Sequence, residues 1–252
     1  MNQQTMMEHV RRQLAIDYNC LPEDFLKDEI IFTDAVMIDG RRPFPWRSPR
    51  IEMVAMGNAI IINASDDVMK SVRERLSGKS RDEVLGSTFF RGLSPYYLPD
   101  VENIRPQAFS AGFEFEMMEK SGIAELYSLK GFPNALHYHP APLELAYVAK
   151  ISGKVIGIAG VSADCAMLWQ IGVDVLPSFG GKGVATALVD ALTLEVINRG
   201  YIPYYGTAAD NVKSQRVAEK AGYAQAWVHC NKTALDKSSF LSRINRLFKR
   251  KA

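Results

Sequence analysis

A glycine-rich turn is the feature of the sequence best suited to chemistry. Residues 173–177 read VDVLP, the end of a predicted strand, and GGKGVAT follows at residues 180–186, where a predicted helix begins. A turn that opens a helix leaves backbone N–H groups without partners at the positive end of the helix dipole, and such groups bind phosphate oxygens. The turn therefore predicts a phosphate site. The alternative is a tight strand-to-helix connection without a ligand.

The spacing of the glycines excludes two common phosphate motifs. The dinucleotide fingerprint GxGxxG is absent, because Gly181 and Gly183 are followed by Thr186 rather than by a third glycine at the required position. The P-loop needs GxxxxGK followed by Ser or Thr, and GGKGVAT does not have that spacing. If the turn binds phosphate, it does so through a different motif.

The turn resembles the acyl-coenzyme A loop of the GNAT superfamily of N-acetyltransferases. In that loop Arg or Gln is followed by two residues of any type, then Gly, any residue, and Gly or Ala, after a strand ending in Val-x-Pro. Residues 180–185 match at every position but the first, and Val175 and Pro177 match upstream. Gly180 replaces the Arg or Gln, so one side-chain contact to the pyrophosphate is missing or is supplied by another residue, for which Lys182 is a candidate.

A second segment, DNVKSQRVAEKAGY at residues 210–223, resembles a later motif of the same superfamily. The matching positions are Asn211, Ser214, Glu219, Lys220, Gly222 and Tyr223. The distance between the two motifs also suits the family. The resemblance covers residues 115–230 and leaves the first hundred residues without an interpretation of equal weight.

The resemblance implies that acetyl-coenzyme A (acetyl-CoA) is the cosubstrate and that a primary amine attacks its thioester directly in a ternary complex. It also implies that two central strands splay apart, so that backbone groups near Ile171, Val173 and Val175 pair with the pantetheine arm. The other implied cofactor contacts are Gly180, Gly181, Lys182, Gly183, Val184, Ala185, Thr186, Asn211 and Ser214.

The group that assists the leaving thiolate is not given by the motifs. Many relatives have a Tyr seven residues after the Asn, and here that position is Ala218. Ser214 and Tyr205 are candidate donors. The alternatives are that Ser214 caps a helix and that Tyr205 packs in the core.

Glu144 and His139 are candidate bases for deprotonating the amine. Glu144 lies in a predicted hairpin strand, where the alternative is a solvated carboxylate facing outward. His139 shares one face of an extended segment with His137, and it could act through a water molecule; the alternative is an ordinary surface or packing histidine. Two imidazoles without a third ligand do not predict a metal site.

The pattern of apolar residues predicts the elements that position these groups. In the second half of the chain we expect a hairpin, a strand, the glycine turn, a helix, a strand, a helix and a last strand. The predicted bounds are 143–150, 154–161, 168–175, 184–199, 203–208, 212–221 and 225–229. In the first half we expect a helix at 6–17, strands at 29–37 and 51–63, and helices that begin after Ser65 and Ser80. Residues 93–106, with three prolines, are interpreted as a linker.

The predicted fold class is α/β (α+β), a mixed, mainly antiparallel sheet flanked by helices. We expect an N-terminal α/β subdomain of unknown role at 1–108, an acetyltransferase domain at 109–232 and a basic amphipathic helix at 233–252. That helix could bind an anionic membrane or a partner groove, but docking on its own domain is favoured. The segment RRPFPW at 41–46 could recognise an acceptor, although a loop held by its aromatic residues is the commoner arrangement.

Composition narrows the class of protein. The net charge of +2 over 252 residues gives no argument for nucleic-acid binding, and the three cysteines lack the spacing of a zinc cluster or a disulfide framework. With no signal peptide or apolar span, we expect a cytoplasmic protein, and relatives suggest a homodimer. A non-catalytic module that senses acyl-CoA, and a scaffold protein, are the alternatives to an enzyme.

Overall fold

The computed structural model describes residues 1–43, 50–102, 104, 112–138 and 141–233. In chain order the strands are β1 (Ile30–Asp34), β2 (Ile51–Met56), β3 (Ala59–Ala64), β4 (Phe90–Arg91), β5 (Ser94–Pro99), β6 (Glu114–Glu119), β7 (Leu143–Ile151), β8 (Lys154–Ala163), β9 (Leu168–Val175), β10 (Ile202–Gly206), β11 (Tyr223–Cys230) and β12 (Lys232–Thr233). The α-helices are α1 (Gln3–Tyr18), α2 (Asp66–Leu76), α3 (Arg81–Leu85), α4 (Pro133–Leu136), α5 (Val184–Asn198) and α6 (Val212–Lys220). Three 3₁₀ turns lie at Pro22–Leu26, Ile123–Ser128 and Pro177–Phe179.

Ten of these strands form one sheet, in the order β1-β3-β2-β11-β5-β10-β9-β8-β7-β6. Two neighbouring pairs, β1 with β3 and β9 with β10, are parallel, and the other neighbours are antiparallel. This confirms the predicted class, a mixed and mainly antiparallel sheet flanked by helices.

The two faces of the sheet carry different helices. Apolar residues of α5 and α6, such as Leu188 and Ala218, share a core cluster with Ile171 and Tyr205. On the opposite face, the helix α1 packs its stripe of Met6, Val10 and Leu14 against Leu168, Ile202, Tyr204 and Trp227. Because successive strand residues point to opposite faces, Tyr204 and Tyr205 belong to different cores.

Most predicted elements of the second half are found within a residue or two of their expected bounds, and two predictions in the first half are wrong. The segment 51–63 is not one strand but the hairpin β2–β3, because Gly57 takes a left-handed turn with φ +54°. Within the segment 93–106, residues 94–99 are not a linker, because Ser94–Pro99 forms β5 between β10 and β11. Pro95 fits this strand since its carbonyl still accepts a hydrogen bond from Thr207 N at 3.1 Å.

The capping residues at helix N-termini predicted the structure more reliably than the strand and linker patterns did. The helix α2 begins at Asp66 directly after Ser65, as predicted. The helix α3 begins after Ser80, as predicted, and Ser80 forms the capping box that its spacing from Glu83 favours: Ser80 Oγ accepts from Glu83 N at 3.3 Å, and Ser80 N donates to Glu83 Oε2 at 2.7 Å. The apolar pattern at residues 122–129 also predicts a helix, but the structure has the 3₁₀ turn Ile123–Ser128 there.

The sheet continues across the predicted boundary at residue 108, since β5 of the first segment lies between two strands of the second. Whether either segment folds by itself stays a prediction. The predicted C-terminal helix lies outside the described residues. Among the described helices, none combines the length and the apolar character that a membrane crossing requires.

Buried ion pairs join the N-terminal segment to the sheet beneath α1. Arg42 Nε lies 2.5 Å from Asp17 Oδ2, and the Arg42 backbone N–H donates to Asp17 Oδ1 at 2.9 Å. Arg41 and Arg50 both pair with Glu52, at 2.8 and 2.6 Å. Two arginines of the RRPFPW segment are thus engaged inside the protein, and the aromatic residues of that segment lie outside the described residues.

His229 makes the stability of this region depend on pH. Burial, with Arg42 as the next cause, lowers the pKa of His229 to about 3. The unfolded chain takes up this proton near pH 6.5 whereas the folded chain does not, so stability is lost as the pH falls below about 6.5. We expect the free energy of unfolding to be about 2 to 3 kcal/mol lower at pH 4.5 than at pH 7 from this group. Urea unfolding of the wild type and His229→Gln at both pH values measures this, and an equal pH effect in the two proteins would contradict it.

Candidate active site

In the middle of the sheet, the edge of β9 that faces β10 has no paired strand at residues 172–175 among the described residues, and this open stretch is the candidate cleft. Their pairing runs from Leu168–Ile202 to Ile171–Tyr205, whereas on its other side β9 stays paired with β8 as far as Val175. Residues 172–175 therefore lie beside β8 only, because β10 ends at Gly206, one residue after its last pair with β9. The splay that the resemblance implies would lie along this stretch. Ile171 is still paired with Tyr205, so the open stretch begins one residue later than the sequence implied.

The glycine turn lies at the wide end of this cleft. Pro177–Phe179 forms a 3₁₀ turn, and Gly180 N donates to Pro177 O at 3.2 Å. Gly181 and Gly183 have φ of +77° and +79°, and a Cβ on either residue would meet no atom within 4 Å. Glycine is needed here for its backbone conformation rather than for lack of room. Gly180 has an ordinary φ of −62°, so its backbone conformation does not require glycine where relatives have Arg or Gln, although a Cβ there would lie 3.3 Å from Pro177 O.

The helix α5 begins without a side-chain cap. Gly183 occupies the N-cap position, and the helical ladder starts with Ala187 N donating to Gly183 O at 3.0 Å. The N–H groups of Val184, Ala185 and Thr186 precede this bond, so they fall outside the helix's own ladder. They provide donors at the positive end of a 15-residue helix.

Close packing fixes the direction of these amides. Val184 is buried, and a Cβ added at Gly157 of β8 would come within 3.2 Å of Val184 Cγ1 and 3.1 Å of Leu188 Cδ1. Gly157 thus lets the first turns of α5 press against the sheet, a role the sequence analysis missed because the contact is not local. On the outside of the turn, Lys182 Nζ lies 5.2 Å from the centre of the Phe179 ring.

The second motif lies at the start of α6. Asn211 is its N-cap residue, and its Oδ1 accepts from Ser214 N at 3.2 Å. Ser214 does not cap the helix; its hydroxyl lies 2.8 Å from the hydroxyl of Tyr205. Tyr205 is 3% exposed, and burial raises its pKa to about 12. Ala218 is fully buried in the core and has no polar group to offer.

The candidate bases are less well placed. Glu144 lies at a bulge of β7, where it pairs with Lys120 Nζ at 2.5 Å. Because β8 lies between β7 and β9, the backbones of β7 and β9 are about 10 Å apart. Glu144 on β7 is therefore not brought beside Ser214, which lies at the start of α6 on the other side of β9. His139 lies outside the described residues. No three His, Cys, Asp or Glu side chains group as metal ligands in the ranges that the structure describes.

One carboxylate on the open stretch was missed by the sequence analysis. Asp174 accepts from Asn134 Nδ2 at 2.6 Å and from the Ala135 backbone N–H at 2.9 Å, which fixes it to the first turn of α4. Its charge is among the causes that raise the pKa of Tyr205, although burial is the larger cause. The sequence signal was only an acid between two valines, which also fits a half-buried strand.

Comparison with known proteins places part of the chain in a family. Residues 99–223 match the family model described as Acetyltransferase (GNAT) family. No curated protein matches the sequence significantly.

The solved structures to which this chain is similar include three acetyltransferases or acetyltransferase-like proteins. A GCN5-related N-acetyltransferase-like protein from Streptococcus suis is 16% identical, with TM-score 0.45 and coverage of 69% of this chain and 72% of that one. A putative acetyltransferase of the GNAT family from Novosphingobium aromaticivorans is 18% identical, with TM-score 0.42 and coverage of 56% of this chain and 66% of that one. The aminoglycoside N-acetyltransferase AAC(6')-Iy in complex with CoA is 23% identical, with TM-score 0.37 and coverage of 49% of this chain and 93% of that one.

Proposed function

We propose that this chain, whose residues 99–223 match the GNAT acetyltransferase family, transfers an acetyl group from acetyl-CoA to a primary amine of a small molecule or protein. The observation that carries the proposal is the junction of the cleft at residues 172–175 with the uncapped start of α5. A thioester carrier needs both an extended groove for its arm and a group of donors for its diphosphate.

Each half of the cofactor has a matching surface. The backbone of β9 from Val173 to Val175 provides the free edge along which a pantetheine arm would lie, with Ile171 at the closed end. The diphosphate would lie against the N–H groups of Gly181, Gly183, Val184, Ala185 and Thr186, with Lys182 as the nearest cation of the turn. Asn211 and Ser214 would face the arm from α6.

The chemistry needs little beyond placement. A neutral amine attacks the thioester carbonyl carbon, a tetrahedral intermediate forms, and the C–S bond breaks to leave the amide and CoA. When both substrates are held in the cleft, the bimolecular reaction becomes effectively unimolecular. Glu144 and His139 remain the proposed bases, and Asp174 is a further carboxylate on the open stretch.

Calorimetric titration with CoA and acetyl-CoA, followed by thiol release with a panel of primary amines, tests the proposal. We expect both cofactors to bind, and at least one amine to accelerate thiol release over hydrolysis. No binding of either cofactor to folded protein would remove the proposal.

A non-catalytic acyl-CoA sensor is the second candidate, and two observations favour it. Gly180 gives no side-chain contact to a diphosphate, and Ala218 gives no hydroxyl in the core between α5 and α6. The same experiments separate the two functions, because a sensor binds the cofactor but shows no amine-dependent release of thiol. The homodimer and the cytoplasmic location stay predictions.

A charge placed at the start of α5 should affect stability and affinity in opposite directions. Ala185→Asp adds a carboxylate in the first helical turn, which favours the helix by about 0.3 to 1 kcal/mol but repels a bound diphosphate. We expect the melting temperature of the free protein to hold or rise and the affinity for CoA to fall roughly 10-fold or more. The matched neutral variant is Ala185→Asn, and equal affinities for the two variants would contradict a diphosphate at this place.

A further inference from the structure

The hydrogen-bonded pair of Tyr205 and Ser214 lies at the closed end of the cleft. Tyr205 is the last residue of β10 that pairs with β9, and its side chain points to the face covered by α5 and α6. Ser214 is in the first turn of α6, beside the cap residue Asn211. The pair therefore joins the strand at which the cleft ends to the helix that borders it.

We propose that Tyr205 donates a hydrogen bond to the sulfur of the departing CoA thiolate and keeps its own proton, and that Ser214 is the positioning residue for its hydroxyl. This inference rests on the proposed acetyl transfer. It replaces the earlier candidate role of Ser214 as the direct donor, because the Ser214 hydroxyl is 2.8 Å from the Tyr205 oxygen.

The direction of the hydrogen bonds follows from the inventory of donors. A tyrosine hydroxyl has one hydrogen, so if it points to sulfur the oxygen must act as acceptor toward Ser214. The serine hydroxyl then donates to Tyr205, and the two bonds form a chain that ends at the negative sulfur. Chains of this kind polarise each member and strengthen the terminal bond.

The acidities of the two groups explain why the proton stays on the tyrosine. Burial raises the pKa of Tyr205 to about 12, whereas an ordinary alkyl thiol has a pKa near 8.5. Transfer from the phenol to the thiolate would therefore be uphill by several pKa units, but a hydrogen bond between them costs no such transfer. At neutral pH Tyr205 is fully protonated and available as a donor.

The step balances without another reagent. The amine nitrogen forms its bond to the carbonyl carbon, the C–S bond breaks, and its electron pair stays on sulfur while the Tyr205 hydroxyl donates to it. The nitrogen loses one proton to solvent, through whichever base serves the site, and the thiolate takes one proton from solvent after it leaves the cleft. The products are the amide and the free thiol.

The two other buried tyrosines of the same core cluster, Tyr97 and Tyr223, are less suited to this role. Tyr223 shares a 2.6 Å hydrogen bond with Thr193 of α5, and it is buried. Tyr97 lies on β5, one strand beyond β10, where it pairs with Tyr205 in the register of the sheet. Tyr97 is thus a buried tyrosine of the same cluster on a strand that does not border the cleft, which makes it the matched control.

Steady-state kinetics of Tyr205→Phe, Ser214→Ala and Tyr97→Phe test the assignment. For Tyr205→Phe we expect kcat to fall roughly 10- to 150-fold, the range for a lost hydrogen bond to a charged group, with little change in the KM for acetyl-CoA. For Ser214→Ala we expect a smaller loss, of about 3- to 10-fold, because the tyrosine is still present. Tyr97→Phe should keep wild-type activity, and melting temperatures check that each variant is folded.

Solvent isotope effects distinguish a hydrogen bond from a proton transfer. If Tyr205 keeps its proton, the ratio of kcat in H₂O to that in D₂O should be the same in the wild type and in Tyr205→Phe. A ratio that falls toward one in the variant would overturn this part of the proposal, and wild-type kcat in folded Tyr205→Phe would overturn all of it.

Direct titration of CoA separates this inference from the function on which it rests. Wild-type protein that binds no CoA, or that binds it without turnover, removes the transferase proposal. Wild-type protein that turns over while Tyr205→Phe matches it leaves the transferase in place and removes only the role of Tyr205.

Discussion

Replacing Gly183 with valine is expected to abolish detectable CoA binding while the protein stays folded. Gly183 holds φ +79° at the N-cap of α5, a conformation that a β-branched residue rarely adopts. A valine that leaves this conformation reorients the peptide groups at the start of α5. Their N–H groups then no longer point to the position of one bound diphosphate. Losing about two hydrogen bonds to a charged group corresponds to a fall in affinity of roughly 100-fold or more, which calorimetry would measure directly.

The matched control for this change is Gly153→Val in the turn between β7 and β8. Gly153 has φ +75°, and as at Gly183 a Cβ there would meet no atom within 4 Å. The two variants therefore carry a similar backbone strain, of about 1 to 2 kcal/mol, and should melt at similarly lowered temperatures. Only Gly183→Val should lose CoA. Equal affinities in the two variants would show that the turn does not hold the diphosphate.

The sequence predicts this part of the site well because the information in it is local. A strand, a turn with glycines at positive φ and a helix follow one another within residues 168–198, and each is determined by neighbours in the chain. The cap of α6 by Asn211 depends on a residue three positions away. Such features need no knowledge of which strands are neighbours in space.

The parts that the sequence did not predict depend on contacts between distant segments. Tyr205 and Ser214 were each candidates, but the hydrogen bond between them exists only because α6 packs over β10. Glu144 is still a proposed base, but the sequence could not show that two strand spacings lie between its strand, β7, and β9. The prolines at residues 95 and 99 suggested a linker, because the tolerance of a strand for proline depends on which of its backbone groups face a neighbour.

The other large effect is expected when the first 108 residues are removed. The remaining chain loses β5, so β10 and β11 lose their common neighbour, and it loses α1, so Trp227, Tyr204, Leu168 and Ile202 lose their cover. Exposing a large buried apolar side chain costs about 1.5 to 3 kcal/mol, and four of them approach the 5 to 15 kcal/mol that stabilises a whole domain. We therefore expect residues 109–252 alone to lack a cooperative thermal transition and to bind no CoA.

Coexpression with residues 1–108 as a separate chain should restore both properties if the only loss was the missing strand and helix. The internal ion pairs of the N-terminal segment, Asp17 with Arg42 and Glu52 with Arg41 and Arg50, would let that segment hold β2 and α1 together before it docks. A cooperative transition in residues 109–252 alone, with CoA affinity near that of the whole chain, would show instead that the acetyltransferase segment is an autonomous domain. In that case β5 would complete the sheet without being required for it.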